Sequence, residues 1–239
     1  MTLTQYQGRF TVDGLPFTSV SSIIKTDQRL VQGNRSRALA NKSKQQSKTK
    51  SATAGGIAVH GAVRQFLRTG ECDLDPVYYN YFSGIQDWLT RLDLETWWAE
   101  TPVLDELQHL QQGPSAAVWC EKHRYIGVPD WVGKVGGVGC VMEFKTSDTL
   151  YRNNYNYNYN YNYNQFKQYA EWVKHHQAGM QVAAYAHAWK ETTDMNIKAG
   201  IIINSTPNEC QLFIIEGDEL KKKLTSFHKL CREYRKIHG

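Results

Sequence analysis

A chain of 239 residues that is 41% hydrophobic and 21% charged has the composition of a soluble globular protein with one good-sized core. No apolar run approaches the length of a membrane span, and "MTLTQYQGRF" has the layout of neither a signal nor a transit peptide, so a membrane protein is excluded and a cytoplasmic one expected. The net charge is +5, and the five cysteines (72, 120, 140, 210, 231) are widely spaced, with no CxxC and no cysteine–histidine cluster along the chain, which predicts reduced thiols, no zinc and no iron–sulfur cluster.

Residues 8–18, "GRFTVDGLPFT", read as a strand, an Asp-Gly turn and a second short strand. "SVSSIIKTDQRL" starts a helix capped by Ser19 or Ser21. From Gln28 to Gly70 there is no acid, but there are nine basic residues: Arg29, Arg35, Arg37, Lys42, Lys44, Lys48, Lys50, Arg64 and Arg68. A block of one sign repels itself unless a polyanion neutralises it, which points to nucleic acid, although a solvated loop over 28–55 accounts for the composition equally well. Beyond it, "GGIAVHGAVRQFLRTG" sets Val59, Val63, Phe66 and Leu67 at helical spacing and closes with Gly70.

Residues 77–97, rich in tyrosine and tryptophan, predict a helix with an aromatic face. From about Trp98 to Lys145 the pattern turns to strands: "AETPVL", "AAVWC", "RYIGVPDWV" and "CVMEFKT". A low-complexity insertion, 151–165, contains "NYNYNYNYNYN"; the bland reading is a tolerated loop, the sharper one a stripe of rings for unpaired bases. A helix follows over 178–190, then strands "AGIIINS" and "CQLFIIEG", then a terminal amphipathic helix. The whole predicts one α/β domain over 1–239, a sheet with helices on its faces.

The stretch "VPDWVGKVGGVGCVMEFKTS" (128–147) folds as a hairpin about Gly136-Gly137, where both turn positions need positive φ. Asp130 then faces Glu143, with Cβ atoms roughly 5 Å apart. Lys145 shares their face, while Met142 and Phe144 point to the other, into the core. Two carboxylates this close repel unless a cation intervenes, and oxygen ligands suit Mg²⁺ or Mn²⁺. A surface hairpin with a Glu–Lys pair is the structural alternative.

Pro129-Asp130 followed by Glu143-Phe144-Lys145 resembles the PD-(D/E)xK nuclease signature. Upstream, Gly56 and His60 in "GGIAVHGAVRQFL" resemble the Gly-x-x-x-His helix of RecB-type nucleases. Downstream, Gln181 and Tyr185 in "QVAAYAHA" resemble their Gln-x-x-x-Tyr helix, a spacing that sets both side chains on one face. "RFTVDGLPFTSVSSIIK" and "YIGVPDWVG…VMEFKTSD" look most like the mitochondrial genome maintenance exonuclease branch and its phage and bacterial relatives. The resemblance covers residues 8–25, 54–68, 121–148 and 180–190 and, loosely, the late strands.

The resemblance implies a restriction-endonuclease-like mixed β-sheet core flanked by α-helices, and Mg²⁺- or Mn²⁺-dependent hydrolysis of DNA from single-stranded ends. It implies that Asp130, Glu143 and the main-chain carbonyl of Phe144 bind the metal, with His60 as a further ligand. Lys145 would be the catalytic lysine, oriented with the phosphate by Gln181 and Tyr185. The basic residues Arg35, Arg37, Lys42, Lys44, Lys48, Lys50 and Arg64 would hold the strand. Two departures stand out: the interval from Lys145 to Gln181 is long, and Gln165/Tyr169 in "QFKQY" competes with Gln181/Tyr185. Gln181/Tyr185 is preferred because the small residues around it suit a helix packed closely on a sheet.

The expected function is thus a monomeric exonuclease acting on single-stranded DNA in replication, repair or recombination, alongside proteins of those processes. Two alternatives are a structure-specific endonuclease and a nuclease-fold protein that binds DNA without cutting it.

Overall fold

The computed structural model describes residues 3–6, 9–27, 42–99, 117–153 and 163–238. The protein is mixed α/β, built on two five-stranded sheets. The first runs β1-β2-β3-β6-β5, from β1 (Leu3–Tyr6), β2 (Arg9–Val12), β3 (Leu15–Ser19), β5 (Val118–Cys120) and β6 (Tyr125–Gly127). The second runs β10-β9-β8-β7-β4, from β4 (Leu94–Trp98), β7 (Trp131–Val135), β8 (Val138–Thr146), β9 (Ala199–Ser205) and β10 (Cys210–Glu216). A single sheet with helices was expected; the early hairpin and the β5–β6 hairpin instead make a second sheet, joined by a parallel pairing of β3 with β6.

The helices are α1 (Val20–Ile24), α2 (Lys42–Thr69), α3 (Tyr79–Arg91), α4 (Tyr163–Thr193) and α5 (Gly217–His238). Ser19 caps α1, its hydroxyl accepting from the Ser22 amide at 3.1 Å. α2 closes where the Gly70 amide donates to the Phe66 carbonyl at 2.8 Å, as the sequence predicts. Its start departs from expectation: residues 42–55, read as a loop, are helical. "KSKQQSKTKSATA" offers lysine, glutamine and alanine, good helix formers, and no proline or glycine before Gly55. At its far end the predicted 77–97 helix stops at Arg91, because Leu94–Trp98 is recruited as strand β4 and pairs with β7. α4 likewise begins earlier than the predicted 178–190, so both Gln-x-x-x-Tyr pairs lie on one helix. Residues 154–162 of the Tyr-Asn run, and "ETPVL" of the predicted 99–104 strand, lie outside the described residues.

The second sheet is covered on both faces. On one side α4 and α5 pack Ala184, Ala188, Trp189 and Phe227 against Val132, Val141 and Ile202. On the other, α2 and α3 pack Val59, Val63, Phe82 and Ile85 against Trp131, Met142, Phe144 and Ile201. Each large side chain buried in this way is worth roughly 1.5–3 kcal/mol relative to exposure. Coverage on both faces explains why β9, "AGIIINS", is buried at every residue and shows no alternation. β8 and β9 are parallel, so the chain must cross over between them, and α4 is that crossover. The consequence for function is that α4 lies across β8.

Candidate metal centre and active site

β7 and β8 pair antiparallel with Trp131 opposite Met142 and Val135 opposite Val138, the predicted register. Gly136 and Gly137 take φ of 55° and 80°, so the tight turn draws on the freedom of both glycines. Extended by one residue, this register sets Asp130 across from Glu143. Asp130 Oδ2 accepts the Phe144 amide at 2.8 Å, and Oδ1 lies 3.1 Å from His60 Nδ1 on α2. The N–H and C=O of a strand residue leave by the same edge, so the Phe144 carbonyl also faces this end of β7.

Glu143 and Lys145 point to the opposite face from Met142 and Phe144, as period two requires. That face is not open, as in a surface hairpin: α4 covers it, and Glu143 is 3% exposed. Lys145 Nζ donates to Glu143 Oε1 at 2.7 Å and to Gln181 Oε1 at 2.9 Å. Gln181 Nε2 donates to the same Glu143 oxygen at 2.7 Å and to the Tyr185 hydroxyl at 2.9 Å. Tyr185 itself lies against Gly127, where any added Cβ would collide with its ring. His60, Asp130, Glu143, Phe144, Lys145, Gln181 and Tyr185 therefore stand together, brought from α2, the β6–β7 link, β8 and α4.

Tyr169 stacks on Trp172 with ring centroids 5.8 Å apart, and the side chain of Gln165 lies outside the described residues. Arg64 follows His60 by one turn of α2 and is half-buried. Lys42, Lys44, Lys48 and Lys50 belong to α2, with side chains outside the described residues; Arg35 and Arg37 lie outside them entirely.

The charges are strongly linked. Burial opposes protonation of His60, but the charge and hydrogen bond of Asp130 outweigh it and hold the imidazolium up to about 9. Burial likewise opposes ionisation of Asp130, yet His60, Lys145 and the Phe144 amide together lower its carboxyl below the ordinary value. Glu143 goes the other way: burial and then the Asp130 charge push it up to about 7, with Lys145 only partly offsetting them. Lys145 is raised, because the nearby acids, Glu143 foremost, outweigh its burial. One carboxylate is thus held ionised and its neighbour only half so at neutral pH, the pattern of two acids competing for too little positive charge.

Glu143 Oε2 is buried with no hydrogen-bond partner among the described residues. Leaving such an oxygen unsatisfied costs about 1–3 kcal/mol, more when it is charged. A divalent cation between Asp130 and Glu143 would satisfy it and remove the mutual repulsion. Carboxylate and carbonyl oxygens suit Mg²⁺ or Mn²⁺, so the oxygen donors present fit such an ion.

Beyond the end of β8, a cleft of about 590 Å³ runs along residues 148–152 and includes Glu171 and Gln211. Its lining does not include His60, Asp130, Glu143 or Lys145, so the carboxylate centre stands beside it. Tyr151, on this cleft, was not singled out from the sequence. It is buried, its phenol is raised chiefly by burial, and it feels the charges of both Lys145 and Glu143. A tyrosine in the loop after β8 carries no sequence signal of that placement.

Among the described residues no helix is long and apolar enough to cross a membrane. A scan against protein-family models finds no match to this chain, and a search of curated proteins finds none either.

Proposed function

We propose that this chain is a Mg²⁺- or Mn²⁺-dependent deoxyribonuclease of the PD-(D/E)xK type, with a restriction-endonuclease-like core, acting from single-stranded DNA ends. One observation carries the reading. Asp130, Glu143 and Lys145 converge in a buried centre in which Glu143 Oε2 meets no donor among the described residues, an arrangement that makes chemical sense around a cation. Asp130, Glu143 and the Phe144 carbonyl would hold it, joined by His60 once that ring has given up its proton.

Such an ion supplies charge neutralisation at the scissile phosphate and acidifies an attacking water. The rest is done by the chain. Lys145, fixed from two sides by Glu143 and Gln181, presents an ammonium that steadies negative charge developing on the phosphate. Tyr185 holds Gln181, and so limits the rotamers open to Lys145. The basic run on α2 supplies positive charge for the backbone of a strand. The preference for single-stranded ends rests on the family resemblance alone.

The test is a panel of end-labelled single strands, duplexes and a circular single strand, incubated with Mg²⁺, Mn²⁺ or chelator. Metal-dependent shortening of linear strands with the circle intact supports the proposal. Cutting of the circle would assign endonuclease action instead. No metal-dependent product from any substrate, with the protein folded and binding DNA, would make it a binding protein.

A further inference from the structure

Away from the carboxylate centre, Cys120 on β5 and His187 and Glu191 on α4 come together. The Cys120 thiol, a ring nitrogen of His187 and a carboxylate oxygen of Glu191 all lie within 4.8 Å of one another. His187 and Glu191 are one helical turn apart and so share a face. The fold alone assembles this group, which is why cysteine spacing along the chain predicts no such site.

The hydrogen bonds around His187 decide what it offers. The Tyr125 hydroxyl donates to the Ala184 carbonyl at 3.2 Å and lies 3.0 Å from His187 Nδ1. The hydroxyl thus engages the ring through Nδ1 and leaves Nε2 as the nitrogen turned to the cluster. Nε2, on the other side of the ring, faces Glu191 Oε1 at 3.6 Å. The Cys120 thiol is in turn hydrogen-bonded to Glu191, so thiol, imidazole nitrogen and carboxylate already converge on one another. Orientation of a ligand histidine through its other nitrogen is the usual support of a metal site.

We propose that Cys120, His187 and Glu191 form a second metal site, selective for Zn²⁺, that fastens α4 to the β5–β6 hairpin. Mixed sulfur, nitrogen and oxygen donors suit Zn²⁺ and not Mg²⁺. Zinc–ligand bonds of about 2.0–2.3 Å imply tetrahedral edges of about 3.3–3.6 Å. The His187–Glu191 separation of 3.6 Å meets this, and Glu191 is exposed and able to adjust. His228 stands next to His187, edge-on with ring centroids 5.2 Å apart, and its buried Nε2 has no hydrogen-bond partner among the described residues, a further nitrogen donor in the same layer. Binding sends the Cys120 proton to solvent. The site lies just past Tyr185 on α4 and is independent of the nuclease reading.

The probe is Co²⁺ added to the full, chelator-treated chain under reducing conditions, followed by absorption. The expected result is a thiolate-to-cobalt charge-transfer band saturating at one equivalent, bleached by Zn²⁺ and untouched by Mg²⁺. The carboxylate centre holds no sulfur and does not produce this band. Cys120→Ser should abolish it although four cysteines remain. Glu191→Gln, at an exposed position that spares folding, should weaken Co²⁺ binding at least tenfold. Absence of the band in folded wild-type protein would overturn the proposal, as would a band that survives Cys120→Ser, or unchanged affinity in Glu191→Gln.

Discussion

Titrating the metal-free protein with Mn²⁺ should release protons in a number that reports which side chains become ligands. With His60 held at about 9 and Glu143 at about 7, neutral pH finds the imidazole almost wholly protonated and the carboxyl about half so. Ligation by both therefore releases about 1.5 protons per ion at pH 7, about 1.9 at pH 6 and about 0.8 at pH 8.5. The same linkage makes affinity rise by about three orders of magnitude between pH 6 and pH 8.5. Calorimetric titration in buffers of differing ionisation enthalpy measures the count directly. In His60→Ala the count at pH 7 should fall to between about 0.5 and 1, because only Glu143 still gives up a proton. An unchanged count in that variant would remove His60 from the ligand set. A pH-independent affinity in wild-type protein would refute the linked-charge description of the centre altogether.

The same shifts predict that metal-free protein loses stability as pH rises. His60, raised, contributes stability below its unfolded value of 6.5 that is lost towards about 9; Glu143, also raised, adds a penalty that grows between 4.5 and about 7. Each shift is worth about 3 kcal/mol, so the gain in melting temperature on adding Mn²⁺ should be larger at pH 8.5 than at pH 6; an equal gain at both contradicts this. Gly127→Ala, which drives a Cβ into the Tyr185 ring, should cost about 1–3 kcal/mol of stability and slow cleavage while leaving metal affinity nearly unchanged. Nuclease activity equal to wild type in this variant would show that Tyr185 does not position Gln181 and Lys145. Each lysine of the α2 run changed to alanine should lower the salt slope of single-strand binding by about 0.7; a slope that ignores all of them would place the DNA elsewhere.

Much of this centre is legible in the residues, for a physical reason. The hairpin register follows from two adjacent glycines that accept positive φ, and period two then fixes which side chains share a face, so Asp130, Glu143 and Lys145 could be grouped before any coordinates. Gly56-x-x-x-His60 and Gln181-x-x-x-Tyr185 are helical spacings and place their residues on faces, but not on which strands those faces rest. That comes from the β8–α4–β9 crossover, a long-range pairing with no local signal. Strand β4 shows the opposite case: local aromatic content predicts a helix through Trp97, and pairing with β7 overrides it. The Cys120, His187 and Glu191 group is invisible along the chain because its members come from a short strand and a distant helix. The partial protonation of Glu143 also lies beyond sequence, since it depends on burial beneath α4.

On the proposed function, Asp130, Glu143 and Lys145 cleave a phosphodiester with a divalent ion. The most direct measurement is single-turnover cleavage of an end-labelled single strand by wild-type protein and by Lys145→Ala, each with saturating Mn²⁺ and each shown to bind the ion and the strand. Wild type should show metal-dependent cleavage and Lys145→Ala a loss of at least about a hundredfold, the scale of removing one preorganised charge at a transition state. Equal rates in the two proteins, or no cleavage by wild type, would contradict it.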